Sequence, residues 1–207
     1  MRCEVDIIAE LYDPSLGSEF IVPNVAIDII QLKKWKKVRI HTLKRGNNIY
    51  HIRKHLDNLI PNITYDLKVY TMSYSDDDGN HRNKAYLLLE LFMFYRKVIK
   101  YLKYRNSLVW KVGQVNYILN FIFVILAKNC YIGPISGFFI PPIFVKYMPL
   151  TLSLKYFLYG LLIKFTRRPF VYLLRSRNFR VFAATRFDSR LLKDNGIEVE
   201  WLWETRL

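Results

Sequence analysis

Apolar positions in this chain form short, β-branched runs separated by longer stretches in which they recur with a helical period, a pattern of strands alternating with helices. The run Cys3-Glu4-Val5-Asp6-Ile7-Ile8-Ala9 reads as a first strand, and Leu11 to Phe20 carries Pro14, Gly17 and Ser18 as loop signals. A helix is predicted from Pro23, with Val25, Ala26, Ile29, Ile30 and Leu32 on its apolar face. It ends in Lys33-Lys34-Trp35-Lys36-Lys37, where cations complement a helix C-terminus. Val38 to Leu43 alternates as a second strand, Asn48 to Leu59 is an amphipathic helix, and Thr64 to Met72 is a third strand. This βαβαβ series predicts a parallel sheet covered by helices.

The alternation continues after an Asp-rich break at Asp76-Asp77-Asp78-Gly79. Lys84 to Tyr104 forms the longest helical pattern, and its second half sets Arg96, Lys97, Lys100 and Lys103 on a shared face. Leu108 to Val112 is a short strand, Tyr117 to Ala127 a helix, and Cys130 to Ile135 a strand ending in a Gly-Pro loop. A helical region from Thr151 to Ser176, interrupted at Arg167-Arg168-Pro169, precedes the strand Phe179 to Ala184. The helix Phe187 to Asn195 and the strand Glu198 to Trp203 complete a single doubly wound α/β domain over residues 1–207.

Composition narrows the function classes. With 52% hydrophobic residues in a 207-residue chain, intrinsic disorder is excluded as a description of the whole. Cys3 and Cys130 supply neither a disulfide framework nor a zinc cluster. Arg2, Glu4 and Asp6 stand where a signal peptide needs an uninterrupted apolar core, so a cytoplasmic protein is expected. The two most apolar stretches, Tyr117 to Ala127 and Tyr147 to Ile163, are too short or too interrupted to span a bilayer, and the second suits a buried or interface-lying helix. The formal net charge of +15 still calls for an anionic partner: nucleic acid, an anionic membrane surface or a phosphate-bearing substrate.

In a sheet of this kind ligands sit outside the carboxyl ends of the strands, so the loops that follow the strands carry the candidate chemistry. Gly17, Ser18 and Glu19 precede a helix N-terminus, which favours a phosphate, although the segment also reads as a plain turn. Gln114 and Asn116 follow the fourth strand and could bind sugar hydroxyls, with helix capping as the alternative for Asn116. Gly133, Pro134, Ser136 and Gly137 open a glycine-rich, hydrophobic loop that either shapes a pocket or crosses the sheet edge.

These segments, taken in order with Val38 to Leu43, Lys44-Arg45-Gly46-Asn47-Asn48 and Glu204-Thr205, resemble the N-terminal half of a group 1 (family 4) glycosyltransferase over nearly the whole chain. The resemblance implies a Rossmann-like doubly wound parallel sheet as the acceptor-side domain of a GT-B fold. It also implies transfer of a sugar from a nucleotide-sugar donor, with no other cofactor, to a lipid-linked or polysaccharide acceptor. Gly17, Ser18 and Glu19 would then lie near the donor diphosphate. Gln114, Asn116, Gly133, Pro134, Ser136 and Gly137 would line the acceptor side, and Glu204 would mark the passage to the donor-binding domain. In the family's Gly-Pro-x-Gly-Gly-Gly-Glu run, Ser136, Phe138 and Phe139 replace the first Gly, the third Gly and the Glu. The chain ends at Leu207, where the donor-binding domain would begin, so the expectation is either a partner chain carrying that domain or a truncated product without activity by itself.

The basic face Arg96, Lys97, Lys100 and Lys103 is expected to meet an anionic membrane surface or the diphosphate of a lipid-linked sugar, with the protein peripheral at the inner membrane face. The alternative is a non-catalytic basic protein binding a membrane surface or nucleic acid, although the sequence carries no recognisable nucleic-acid reading element. Asp76-Asp77-Asp78 reads as a solvated turn rather than a metal motif, and His51 and His55 as surface histidines with nothing nearby to complete a site. No metal site and no catalytic residue is assigned, and Cys130 reads as a small buried hydrophobe.

Overall fold

The computed structural model describes residues 4–10, 12, 37–44, 48–59, 64–71, 84–105, 107–112, 117–135 and 150–201. Among these residues the strands are β1 (Glu4–Ala9), β2 (Lys37–Leu43), β3 (Thr64–Tyr70), β4 (Leu108–Val112), β5 (Tyr131–Ile135), β6 (Arg180–Ala183) and β7 (Val199–Trp201). The helices are α1 (Asn48–Leu59), α2 (Lys84–Leu102), α3 (Tyr117–Leu126), α4 (Leu150–Ser176) and α5 (Arg186–Asp194). The strands form one sheet of order β3-β2-β1-β4-β5-β6-β7, and every neighbouring pair is parallel.

A parallel sheet is covered on both faces, so its strands read as nearly continuous apolar runs, as Ile7-Ile8-Ala9 does. Val5, Ile7 and Ala9 pack with Val38, Ile40 and the α1 residues Ile52 and Leu56 on one face. On the other, Ile8 and Leu43 pack against Phe94 and Val98 of α2, Phe123 of α3, and Phe170 and Leu174 of α4. The α/β Rossmann-like doubly wound fold expected from the sequence is thus present. The chain builds β2 and β3 to one side of β1 and then crosses back to place β4 on the other. The carboxyl ends of β1 and β4 therefore form the topological switch point, the position where such sheets bind ligands.

Element ends differ modestly from the sequence expectation, with α2 ending at Leu102 and β5 starting at Tyr131. The predicted helix from Pro23 lies outside the described residues, and Lys37 belongs to β2. One difference is physical: α4 is continuous, with Pro169 inside it. Proline removes one backbone hydrogen bond and crowds the preceding turn. Ile163 precedes it, and Phe170, Val171 and Leu174 follow, all buried in the same core. Packing on both sides of the proline keeps one helix axis, which local propensity could not foretell.

Glycines mark the tightest and the loosest points. Gly133, in β5, has φ +128°, and a Cβ there would collide with the Phe182 carbonyl oxygen of β6. Trp110 Nε1 donates to the Gly133 carbonyl at 3.3 Å, and Trp110 packs on Phe182. Gly133→Ala is expected to cost about 2–4 kcal/mol, since backbone strain and a clash with main chain act together. Gly160, within α4, meets no described atom beyond its chain neighbours and its own helix backbone within 4 Å of an added Cβ. Gly160→Ala should therefore stabilise by about 0.5–1 kcal/mol through helix propensity. Urea unfolding of both variants checks the pair, and equal shifts would contradict the contrast.

Candidate functional site

At the switch point the parallel pairing of β1 with β4 sets Ile8 opposite Lys111, and Glu10 follows β1 directly. Both charged side chains are almost wholly buried, with Lys111 Nζ 2.9 Å from Glu10 Oε1. They approach as ions rather than through a well-directed hydrogen bond, so among the described residues both Glu10 oxygens and the ammonium keep unused bonding capacity. Burial pulls the Lys111 ammonium below its ordinary value, against the opposing attraction of Glu10. Tyr95 of α2 completes the group: burial, then the Glu10 charge, pushes its phenol well above the ordinary range. A carboxylate, an ammonium and a phenol thus share a low-dielectric space at the switch point, where charge interactions are strongest.

Below this group on the same face lies a second polar network. Arg39 of β2 donates to Asp6 of β1 through Nε (2.8 Å) and Nη2 (3.0 Å), and Nη2 also reaches Glu4 at 2.6 Å. His41 Nε2 lies 2.8 Å from Asp6 Oδ1, and its Nδ1 lies 3.0 Å from the Tyr70 hydroxyl. An ionised carboxylate can only accept, so the Nε2–H donates to Asp6, and in the neutral ring Nδ1 accepts from Tyr70. Burial pushes the Asp6 carboxyl up, but the hydrogen bonds from His41 and Arg39 outweigh it and hold the carboxyl well below the usual range. This network ties β1, β2 and β3 together and sets the floor of the fold. Asn48, at the start of α1, adds donations to the Tyr12 and Leu43 carbonyls, fastening α1 to the chain leaving β1 and β2.

The residues singled out by the sequence divide into three groups. Gly17, Ser18, Glu19, Gln114, Asn116, Ser136, Gly137, Glu204 and Asp76-Asp77-Asp78 lie outside the described residues. Their segments leave the carboxyl ends of β1, β4 and β5, or follow β3 and β7. Gly133 and Pro134 are buried within β5 rather than displayed in a loop. Arg96, Lys97 and Lys100 are exposed on α2 and Lys103 in the turn just after it; Arg96, Lys100 and Lys103 line a cavity at the amino ends of β4 and β5, and Lys97 stands outside it. Among the described residues no group of three metal-binding side chains occurs, and no helix is long and apolar enough to cross a membrane.

Cys130 is buried, as its reading as a small hydrophobe requires, and its Sγ donates to the Lys128 carbonyl at 3.1 Å. Burial pushes its thiol up to about 12, and burial likewise pushes the Tyr70 phenol up to about 12. Groups whose folded value exceeds the unfolded one contribute fully below the unfolded value, and that contribution is lost as pH rises through the folded one. Stability is therefore expected to fall between pH 9 and 12, measurable by urea unfolding across that range. Cys130→Ala should flatten the first part of the decline; an unchanged slope would remove the thiol from the effect.

Sequence reasoning missed Glu10, Lys111 and Tyr95, and it missed the Asp6–Arg39–His41 network. The usable signal was charge inside strands that a parallel sheet buries on both faces. Of the buried or interface-lying helix that the sequence allowed over Tyr147 to Ile163, α4 shows an outward apolar stripe, where Leu154, Phe157, Leu158, Leu161, Leu162 and Phe165 are all exposed, Phe165 to 74%. Exposed Lys164 and Arg168 flank that stripe. No family model matches this chain, and no curated protein or solved structure matches it either.

Proposed function

We propose that this chain is the acceptor-side domain of a GT-B glycosyltransferase, passing a sugar from a nucleotide-sugar to a lipid-linked or polysaccharide acceptor at an anionic membrane surface. The observation that carries the reading is topological. The segments holding Gly17 to Glu19, Gln114 to Asn116, and Ser136 to Gly137 leave the carboxyl ends of β1, β4 and β5, three adjacent strands of the sheet. Loops from adjacent strand ends at a switch point can converge on one ligand. A donor-binding domain, in a partner chain, would close on that crevice. Glu10 and Lys111 then act from beneath, fixing the local charge rather than touching the sugar.

The α4 stripe supports the membrane side of the proposal. Its i, i+3, i+4, i+7 spacing with flanking cations is that of a helix lying in a lipid interface. The basic α2 face adds attraction to anionic head groups.

Membranes of the native host, with and without the chain, supplied with UDP- and GDP-linked radioactive sugars, test the reading. One labelled, solvent-extractable saccharide lipid should disappear without the chain, and an unchanged labelled profile would overturn the proposal. The purified chain should bind either nucleotide-sugar poorly in calorimetry; tight one-to-one binding would contradict the acceptor-side assignment.

A further inference from the structure

The amino edge of the sheet, opposite the proposed crevice, holds a cavity of about 730 Å³. That volume falls within the roughly 300–1,000 Å³ typical of small-molecule sites. Its floor is apolar, built from Ile99 and Leu102 of α2, Val109 of β4, and Phe123 and Leu126 of α3. Its other walls carry Arg96, Lys100, Lys103, Arg105, Lys128 and Arg177, and among the described residues no carboxylate lines it.

Cations gather at helix carboxyl ends for a structural reason, and α2, α3 and α4 all end beside this cavity. Arg177 Nη1 does serve this way, donating to the Ala127 carbonyl at 3.1 Å. Magnitudes decide against that as the full account. Three helix ends supply about one and a half negative charges in all, whereas the walls carry six formal positive ones. Arg105 rests on the Tyr101 ring at 4.2 Å, a contact that leaves its charge uncompensated. Arg96, Lys100 and Lys128 have no ion-pair partner among the described residues. An apolar floor ringed by uncompensated cations fits a ligand with an anionic head and a hydrocarbon body.

We infer that this cavity binds a phosphate-bearing amphiphile, its phosphate held by Arg96, Lys100 and Lys128 and its hydrocarbon chain laid on the Ile99–Leu102–Phe123 floor. The inference is independent of sugar transfer, because the cavity lies at the other edge of the sheet from the acceptor crevice.

The test is calorimetric titration of the whole chain with lysophosphatidate below its critical micelle concentration. Lysophosphatidylcholine of the same chain length and inorganic phosphate serve as the other two arms. Lysophosphatidate is expected to bind one-to-one and at least about tenfold more tightly than either, since both charge and chain contribute. R96E/K100E changes two exposed side chains and should weaken binding by at least about tenfold, with circular dichroism and Tm unchanged. If that reversal disturbs the fold, R96Q/K100Q is read instead and should weaken binding in the same direction. Phe165→Ser on the α4 stripe should leave binding unchanged, which separates the cavity from adsorption to the helix surface. Equal affinity for the choline lipid would overturn the inference, as would equal affinity for inorganic phosphate or no response to the α2 variants.

Discussion

Asp6→Ala is expected to lower the unfolding free energy by about 3–5 kcal/mol, the usual cost of leaving a buried ionic partner uncompensated. Asp6 is fully buried and takes two hydrogen bonds from the Arg39 guanidinium and one from His41. Without it Arg39 is held, among the described residues, by Glu4, whose side chain is 46% exposed and screened by water. Against a total stability of about 5–15 kcal/mol for a domain, such a loss puts a large unfolded fraction within reach of mild urea. The double variant D6L/R39M replaces both charges by apolar groups and should be more stable than D6A, because no isolated charge remains. A D6A midpoint within experimental error of wild type would refute the account. The pH dependence has a definite sign. Asp6 titrates well below its ordinary value in the fold, so its contribution is complete above the unfolded value of 3.8. It is lost progressively as pH falls from that unfolded value towards the depressed folded one, so the gap between wild type and D6A should narrow only below about pH 4.

The alternation of strands and helices was legible because parallel strands buried on both faces leave continuous apolar runs, as in Ile7-Ile8-Ala9 and Val109-Trp110. Helix α1 was legible to its last residue, since Ile52 and Leu56 are spaced one turn apart on a polar background. The continuity of α4 was not. Pro169 is a local breaker, and the packing that overrides it comes from the distant elements α3 and β6, which contribute Phe123, Val124 and Val181 to the same core. The cationic face of α2 was visible as a spacing. Its position beside an apolar cavity depended on where α3 and the end of α4 arrive, which spacing does not encode. Asp6, Arg39 and His41 stood in plain view as charged or polar residues inside strands. They read as ordinary alternation until the sheet order placed them all beneath α2, where Tyr101 meets the His41 ring edge-on at 5.4 Å.

Lys111→Met should be about as damaging as Asp6→Ala, at roughly 3–5 kcal/mol, because it leaves the Glu10 carboxylate buried without its counter-ion. The sequence distance between the partners, one following β1 and the other in β4, explains why no local pattern announced them. Only the return of the chain across β1 after β3 makes them neighbours. Glu10→Gln added to Lys111→Met removes the stranded charge while keeping shape, so the double variant should regain most of the lost stability. Urea midpoints for wild type, both single variants and the double variant form a complete cycle. A coupling below about 0.5 kcal/mol would mean that the two groups act independently, contrary to a separation of 2.9 Å in a dry interior. The same four proteins separate architecture from function. If the pair sets the charge beneath a sugar-binding crevice, E10Q/K111M regains its fold but not the host's labelled saccharide lipid. Recovery of both would make the pair purely structural and move the functional question to the loops above it.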